Sequence, residues 1–284
     1  MSDAPDPTPT TAFDLPHLLA LKDAVVPHAL AAGRWARDLA ARHHAGEDVL
    51  DVASKTSPGD VVTFGDAEVQ RRLVTALRRV APEIGFLGEE GLDESVVGAP
   101  TWVIDPIDGT HNFVRGAGPF CVSIGLVVDG ASVLGVIYDV GEDATYWAVE
   151  GGGAWRESVR LRTGEPRSLA YALVATNFTA ESARNPAHVA AFGALAAATA
   201  GVRSSGACCH DFCRFAAGHI DLFWQAGLKA WDVAAGLVLV REAGGDWAFD
   251  GEPGDWLRSP GLTLFFGQPA LVAEGLATWR SAQD

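Results

Sequence analysis

The chain has 284 residues, 48% of them hydrophobic, which is enough to fill the core of one large domain or of two moderate ones. The formal net charge is −15, and Lys and Arg are scattered singly, which argues against non-specific binding to nucleic acid. No run approaches the ~20 apolar residues of a membrane helix, and the N-terminus lacks the order of a secretory signal. We therefore expect a globular cytoplasmic protein.

The first predicted elements are a leader and two helices. Residues 1–13 are rich in Pro, Thr and Asp without any period, so we expect a disordered leader. Apolar residues at helical spacing predict a first helix over 14–42, with Asp14 as its cap. A second helix should begin just after Asp66, which could be its cap, and should end by Pro82.

Strands are predicted next, for the short apolar runs at 84–87, 101–104, 121–128, 132–140 and 145–149. The Asp129-Gly130 pair between two of these runs is a strong hairpin signal. A triple glycine at 151–153 indicates the change from an α+β half, residues 14–152, to a second half, residues 153–284.

In the second half, strand-like and helix-like segments alternate. Strands are predicted at 172–176, near 202 and at 220–224, and helices at 188–200, 207–217 and 233–243. Such alternation is typical of an α/β arrangement, which we expect for this half.

The sharpest candidate for chemistry lies where an apolar run ends in two aspartates. Residues 102–110 have the sequence WVIDPIDGT, so a strand enters a tight turn that carries Asp105 and Asp108 at the strand's carboxyl end. Such oxygen ligands suit hard divalent cations. A plain polar turn explains the string equally well, so a metal site requires further carboxylates.

Three other segments offer polar groups of this kind, and each also has a simpler interpretation. Glu89, at the end of the 84–87 run, could be a solvated surface charge. Asp232, at the start of the 233–243 helix, could be only an N-cap. Asp66 could cap its own helix, and Lys55 in the preceding loop could be a surface lysine.

The four cysteines, Cys121, Cys208, Cys209 and Cys213, do not show the CxxC spacing of a zinc or redox centre. We expect reduced and mostly buried thiols. Cys209 and Cys213 are four residues apart with His210 close by, which leaves a zinc site as a less favoured alternative.

Taken together and in this order, the polar segments resemble the inositol monophosphatase family of magnesium-dependent, lithium-sensitive phosphatases. The resemblance is carried by residues 55–66, 86–91, 102–113 and 203–245, and the string WVIDPIDGTHNF is highly specific. It implies the layered αβαβα sugar-phosphatase fold, with an α+β first half, an α/β second half and the active site between them. Many relatives are homodimers, and we expect the same here.

The resemblance also implies a set of metal ligands. Glu89, Asp105 and the carbonyl of Ile107 would hold a first Mg²⁺. Asp105, Asp108 and Asp232 would hold a second, and a third, weaker site would lie near Glu89. Lys55 matches a family lysine near the metals.

The nucleophile implied by the resemblance is a water molecule activated by the metals. Thr110 and Asp66 would orient this water and take its proton, and Glu89 would contribute to catalysis through the first metal. Attack in line with the leaving group needs no covalent enzyme intermediate, so none is expected.

The resemblance places the phosphate against the N–H groups of Gly109 and Thr110, at the start of a short helix. The alcohol portion would contact Asp108, Gly206, Ala207, Cys208, Gln225 and Asp232. This chain has Gln225 where inositol phosphatases usually have glutamate, and Cys208 where relatives tend to have alanine. These differences affect the choice of substrate and leave the metal ligands intact.

The sequence therefore predicts Mg²⁺-dependent hydrolysis of a small polyol or sugar phosphate, with inositol 1-phosphate as the leading substrate. Histidinol phosphate, a nucleoside bisphosphate and fructose 1,6-bisphosphate are alternative substrates. The uncharged Gln225 is mild evidence against the cationic histidinol phosphate. A non-enzymatic alternative is a regulatory protein that joins a transcription complex or binds RNA, against which the carboxylates and the acidic chain both argue.

Overall fold

The computed structural model describes residues 13–55, 61–165, 167–252 and 254–283. The predicted leader lies outside these residues except for Phe13. The helices are α1 (Leu15–His44), α2 (Phe64–Val80), α3 (Thr110–Arg115), α4 (Ala180–Arg184), α5 (Pro186–Ala198), α6 (Cys208–Ala216), α7 (Ala230–Glu242) and α8 (Pro269–Ser281). Within the described ranges no helix has the length and apolar character needed to cross a membrane.

The strands form one small sheet and two large ones. They are β1 (Ala53–Ser54), β2 (Val61–Val62), β3 (Gly85–Gly88), β4 (Leu92–Asp93), β5 (Thr101–Asp108), β6 (Cys121–Val128), β7 (Ala131–Asp139), β8 (Ala144–Val149), β9 (Gly153–Arg156), β10 (Val159–Leu161), β11 (Leu173–Ala175), β12 (Gly201–Arg203), β13 (Leu222–Leu228), β14 (Asp246–Phe249) and β15 (Leu262–Gly267).

The first large sheet has the order β10-β9-β8-β7-β6-β5-β3-β4 and is antiparallel except for the parallel pair β3 and β5. The predicted hairpin joins β6 to β7, and its two turn residues, Asp129 and Gly130, both have positive φ, as a type I′ turn requires. This sheet extends past the triple glycine to Leu161. The division of the chain at residue 152 stays a prediction.

The second large sheet has the order β12-β11-β13-β15-β14. Strands β12, β11 and β13 are parallel, and β15 and β14 continue the sheet in antiparallel fashion. Helices connect the parallel strands, so the second half has the α/β arrangement that the alternating pattern predicted.

Helices and sheets stack in five layers. Helices α1 and α2 pack on the outer face of the first sheet, α6 and α7 lie between the two sheets, and α5 and α8 cover the far face of the second. This is the αβαβα architecture expected from the resemblance.

The buried helix α7 sits very close to the first sheet. A Cβ atom on Gly135 of β7 would lie 2.1 Å from the carbonyl oxygen of Ala235, and one on Gly236 would lie 2.3 Å from the ring of Phe212. Only glycine permits such contacts, so these two positions fix how α7 packs against β7 and α6.

Two helices begin earlier than predicted. Helix α2 begins at Phe64, with Thr63 as its N-cap, and Asp66 is the third residue of the helix. Helix α7 begins at Ala230, and Asp232 is likewise its third residue. Neither aspartate is the cap, because each reaches back to the N–H of the residue that precedes the helix, which is the acceptor role of an acidic third residue. Asp14 does cap α1, by accepting the N–H of His17 at 3.0 Å.

Candidate active site

The first two carboxylates come from the end of β5. This strand is buried along its whole length and continues through Asp108, four residues beyond its predicted end. The pairing register between β5 and β6 shifts between Asp105 and Asp108, and such an irregularity re-aims side chains at the edge of a sheet. Asp105 accepts the N–H of Ile107 at 3.1 Å, which fixes the turn.

Asp108 is held by the first turn of α6. Its two carboxylate oxygens accept the N–H groups of Cys208, at 3.0 Å, and Cys209, at 2.7 Å. These amides are among the helix-terminal donors that have no partner within the helix, and they carry the positive end of the helix dipole. The loop before α6 is thereby tied to the first half of the chain.

Asp232 brings a third carboxylate from the second half. Its Oδ2 accepts the N–H of Lys229 at 2.6 Å, which fixes the side chain at the start of α7. One oxygen each from Asp105, Asp108 and Asp232 lie within 4.8 Å of one another. The structure thus brings Asp232 to Asp105 and Asp108, from which it is separated by more than a hundred residues in the sequence.

Burial and mutual repulsion oppose ionisation of this cluster. Burial raises the pKa values of Asp105 and Asp108 well above their usual range, and neighbouring carboxylates add to the effect. Burial raises the pKa of Asp232 to about 7, although the Lys229 amide lowers it. An all-oxygen set that repels itself fits a hard divalent cation, which would replace the lost hydration and balance the charge.

Glu89 and Lys55 border the cluster. Burial raises the pKa of Glu89, which also interacts with Asp105, while the charge of Lys55 opposes the rise. The Lys55 ammonium lies 2.9 Å from Glu89 and 2.7 Å from Glu90. Burial lowers the pKa of Lys55, but the two glutamates outweigh burial and the net shift is upward. Lys55 is therefore a partner of the site and not a solvated surface lysine.

Thr110 and Asp66 meet beside the metal-ligand candidates. The Thr110 hydroxyl lies 3.2 Å from Asp66 Oδ1 and 3.1 Å from the carbonyl oxygen of Ile107. Asp66 is fully buried, and its other oxygen accepts the N–H and the hydroxyl of Thr63. Burial raises the pKa of Asp66 to about 6 against the lowering effect of these two bonds. A proton can therefore reside on Asp66 close to neutral pH.

The candidate substrate residues line the other side of this cleft. Gly109 has a φ of 91°, and a Cβ there would lie 3.1 Å from Ala207, so the loop before α6 packs directly against it. Ala207 and Cys208 are buried. Gln225 lies on β13, and its buried Oε1 has no hydrogen-bond partner among the described residues.

Cys209 and Cys213 do not join His210 in any group of the described residues that could hold a metal; His210 groups instead with Asp139 and Glu142. His210 pairs with Asp139, and Asp139 also accepts the N–H of Glu142. Burial raises the pKa of all four cysteine thiols well above their usual value, which keeps them protonated. All four are free and buried, as predicted.

Three residues near the site were missed by the sequence analysis: Asn177, Ser205 and Asp211. Asn177 comes directly after the predicted strand at 172–176, and polar residues at the carboxyl edge of a parallel sheet often line a site. Asp211 is an acidic residue within a mostly apolar helix, so it needs a buried partner. Both signals were available in the sequence.

Comparison with known proteins was made on both sequence and structure. A model of the inositol monophosphatase family matches residues 22–264. The chain is 38% identical over 207 residues to the inositol-1-monophosphatase of Rhizobium meliloti, which covers 72% of this chain and 77% of that protein. It is 39% identical over 225 residues to the Nus factor SuhB of Pseudomonas aeruginosa, covering 76% and 82%. The inositol monophosphatase structure from Anabaena (Nostoc) sp. PCC 7120 matches with a TM-score of 0.79 at 27% identity, covering 93% of this chain and 96% of that one.

Proposed function

We propose that this chain releases phosphate from a small polyol or sugar phosphate. The chain belongs to the inositol monophosphatase family and is therefore a phosphoric monoester hydrolase. Inositol 1-phosphate is the first candidate substrate. The observation that carries the proposal is the convergence of the buried Asp105 and Asp108 with the partly buried Asp232, within 4.8 Å of one another, beside the Thr110 and Asp66 pair.

The proposed cofactor is Mg²⁺, two ions at each site and a third at a weaker position near Glu89. Glu89, Asp105 and the Ile107 carbonyl would hold one ion. Asp105, Asp108 and Asp232 would hold the other, and their all-oxygen donor set supports this choice. When bound, the ions would lower the pKa of water, so that it loses a proton more readily and becomes a better nucleophile. They would also balance the charge of the phosphate.

Thr110 and Asp66 would manage the proton of the attacking water. The Thr110 hydroxyl can donate to Asp66 Oδ1 and accept a hydrogen bond from the water at the same time. As the water oxygen bonds to phosphorus and the ester bond breaks, the proton passes through Thr110 Oγ to Asp66. With a pKa of about 6, Asp66 is basic enough to take this proton near neutral pH. The departing alkoxide takes a proton from a solvent water molecule and leaves as the alcohol, and Asp66 then returns its proton to solvent.

The two ends of the substrate would meet different groups. The N–H groups of Gly109 and Thr110, at the start of α3, would contact the phosphate. Asp108 and Asp232 would contact the alcohol portion. Gly206, Ala207, Cys208 and Gln225 would contact the alcohol. The unpaired Oε1 of Gln225 supports an alcohol that can donate a hydrogen bond there, such as a hydroxyl of a neutral polyol.

A second candidate function is favoured by the likeness to a Nus factor SuhB. The chain would then act in a complex with other macromolecules, with or without turnover of a phosphate ester. The net charge of −15 argues against RNA as the direct ligand. An Asp105→Asn variant that loses phosphatase activity but keeps the cellular phenotype of the gene would favour this second function.

Three further properties belong to the same proposal and have support only from family membership. We propose that Li⁺ inhibits the enzyme, that it forms a homodimer, and that it works in the cytoplasm. Enzyme assays with Li⁺, light scattering on the purified chain, and localisation of a tagged chain test the three properties separately.

A phosphate-release screen tests the main proposal. Inositol 1-phosphate, histidinol phosphate, fructose 1,6-bisphosphate and adenosine 3′,5′-bisphosphate are compared with Mg²⁺ present and with excess chelator. We expect inositol 1-phosphate to have the highest kcat/KM, and no substrate to be hydrolysed in chelator. Substantial turnover in excess chelator would contradict the metal-dependent mechanism, and a lack of release from all four would contradict the proposed substrate class.

A further inference from the structure

The loop at residues 204–207, here called the α6 loop, is held in place by a side chain from β11's carboxyl end. Asn177 Oδ1 accepts the N–H groups of Ser205, at 3.1 Å, and Gly206, at 2.7 Å. The same oxygen also accepts a hydrogen bond from the Ser204 hydroxyl at 3.3 Å. A single amide oxygen therefore replaces the backbone partners that this loop lacks.

The other end of the Asn177 amide is fixed by a buried carboxylate. Asn177 Nδ2 donates to Asp211 Oδ2 at 3.0 Å, and the Ser205 hydroxyl donates to the same oxygen at 2.7 Å. Ser205 Oγ in turn accepts the N–H of Ala207 at 3.1 Å. Asp211 is only 3% exposed, so loss of either donor would leave a buried carboxylate poorly satisfied.

The α6 loop touches the catalytic site on two sides. It leads into Cys208 and Cys209, whose N–H groups hold Asp108. It also packs against Gly109, where an added Cβ would lie 3.4 Å from the carbonyl oxygen of Gly206. A displacement of the loop would therefore move the residues that are proposed to contact the substrate.

Asn177 lies next to the candidate alcohol site in the sheet. Strands β11 and β13 are parallel neighbours in which Ala175 pairs with Phe223. Asn177 follows Ala175 by two positions, just beyond the end of β11, and Gln225 follows Phe223 by two positions on β13, so both lie toward the carboxyl ends of these neighbouring strands.

We propose that Asn177 and Asp211 are positioning residues that shape the alcohol-binding side of the site, and so decide which alcohols are accepted. This inference rests on the proposed phosphatase function. Neither residue needs to touch the reacting atoms. Their pairing works because one amide donor faces one carboxylate acceptor, and it fails when two acceptors or two donors face each other.

The pairing can be tested by exchanging the two side chains. Asn177→Asp places two carboxylates 3.0 Å apart, and Asp211→Asn replaces the charged carboxylate that accepts from Asn177 and Ser205 by a neutral amide with one acceptor oxygen. We expect each single variant to raise KM for the best substrate of the screen by about 10-fold with kcat changed less than about 3-fold. The double variant restores a donor facing an acceptor, and its KM should return to within about 3-fold of the original.

A second readout does not depend on activity. Hydrogen exchange of the backbone amides at 204–209 should become faster in each single variant and return toward the original rate in the double variant. Thr179→Ala is the matched control, because Thr179 lies two residues after Asn177 and its side chain bonds to Ser182 as the N-cap of α4, away from the hydrogen bonds that hold the α6 loop. It should change neither KM nor this exchange.

The outcomes separate this inference from the proposed function. If the parent protein hydrolyses none of the substrates, the proposed function fails, and exchange alone then decides the role of Asn177. The inference is overturned if both single variants keep the original KM and exchange, or if the double variant behaves no better than the worse single one. If a single variant does not fold, Ser205→Ala removes only one bond to Asp211, and an unchanged KM and exchange in that variant would also overturn it.

Discussion

The two sides of the active site are built by different means. On the metal side, Asp105, Asp108 and Asp232 are fixed by backbone N–H groups at the ends of a strand and two helices. On the alcohol side, the α6 loop is fixed by the side chains of Asn177 and Asp211. Backbone donors are present whatever the sequence, whereas side-chain partners change with one substitution. If the proposed roles hold, we expect single substitutions to alter the proposed alcohol side more easily than the proposed metal side.

The largest effect is expected on the metal side. Asp105→Asn removes one negative charge from the residue proposed to join both metals, and turnover should fall by roughly 10³-fold because several kcal/mol of charge stabilisation are lost. Steady-state phosphate release with saturating Mg²⁺ measures this effect. Glu274→Gln, the same chemical change at an exposed position of α8, should leave turnover unchanged. Equal activities of the two variants would contradict the assignment of the metal side.

A smaller loss is expected from the proton-handling pair. Thr110→Ala removes the hydroxyl that lies 3.2 Å from Asp66, and kcat should fall by roughly 10²-fold. Mg²⁺ affinity, measured by calorimetry, should stay close to that of the parent protein because the carboxylates are untouched. Thr110→Ser keeps the hydroxyl and is the control. Near-normal kcat in the alanine variant would show that the water is activated elsewhere.

The raised pKa values of Asp66 and Asp232 should make the stability of the protein depend on pH. Burial raises the pKa of Asp66 to about 6 and that of Asp232 to about 7, so the folded protein keeps protons that the unfolded chain has already lost. In the metal-free protein, these two groups therefore lower the free energy of unfolding as pH rises from about 4 to about 7, and this unfavourable contribution is largest above about pH 7.

Mg²⁺ should restore the stability that the protein loses as pH rises. We expect it to raise Tm by roughly 5 °C more at about pH 8 than at about pH 5, because only the ionised carboxylates bind it. Thermal unfolding with and without Mg²⁺ at the two pH values gives the difference. Asp232→Asn removes one of the titrating groups and should reduce it. The same Mg²⁺ shift at both pH values would rule out a role for these carboxylates.

The smallest effect is expected on the alcohol side. Gln225→Glu introduces a charge at the candidate alcohol site, and the kcat/KM for cationic histidinol phosphate should rise about 10-fold relative to that for inositol 1-phosphate. The ratio of the two kcat/KM values is the measurement. Gln225→Ala removes the hydrogen-bonding group without adding charge and should not favour the cation. An unchanged ratio in the glutamate variant would place the alcohol away from Gln225.

The same division explains how much could be predicted from the sequence. The layered fold and the convergence of Asp105, Asp108 and Asp232 were implied by the resemblance of the four motifs, whereas the residues alone predicted the α/β alternation and two aspartates at the end of an apolar run. The predicted starts of the helices that contain Asp66 and Asp232 were wrong by a few positions, because an acidic third residue and an N-cap leave similar patterns in a sequence. Boundaries of this kind depend on hydrogen-bond geometry.

The support of the α6 loop could not be predicted from the sequence in the same way. The bond between Asn177 and Asp211 joins residues 34 positions apart in different elements, and no periodicity encodes such a contact. Gln225 was identified only because it departs from a family pattern. Long-range side-chain pairs depend on how the layers stack, and that stacking is known only from the folded structure.

The burial of α7 between the two sheets bears on how the chain unfolds. Its residues pack against both sheets in one hydrophobic core, and Gly135 lets its backbone approach the first sheet with no room for a side chain. Removal of the first half would expose the side of this helix that packs on the first sheet, and removal of the second half would remove the helix and expose that face of the sheet. We therefore expect a single cooperative transition on heating, and neither half should fold when it is expressed alone.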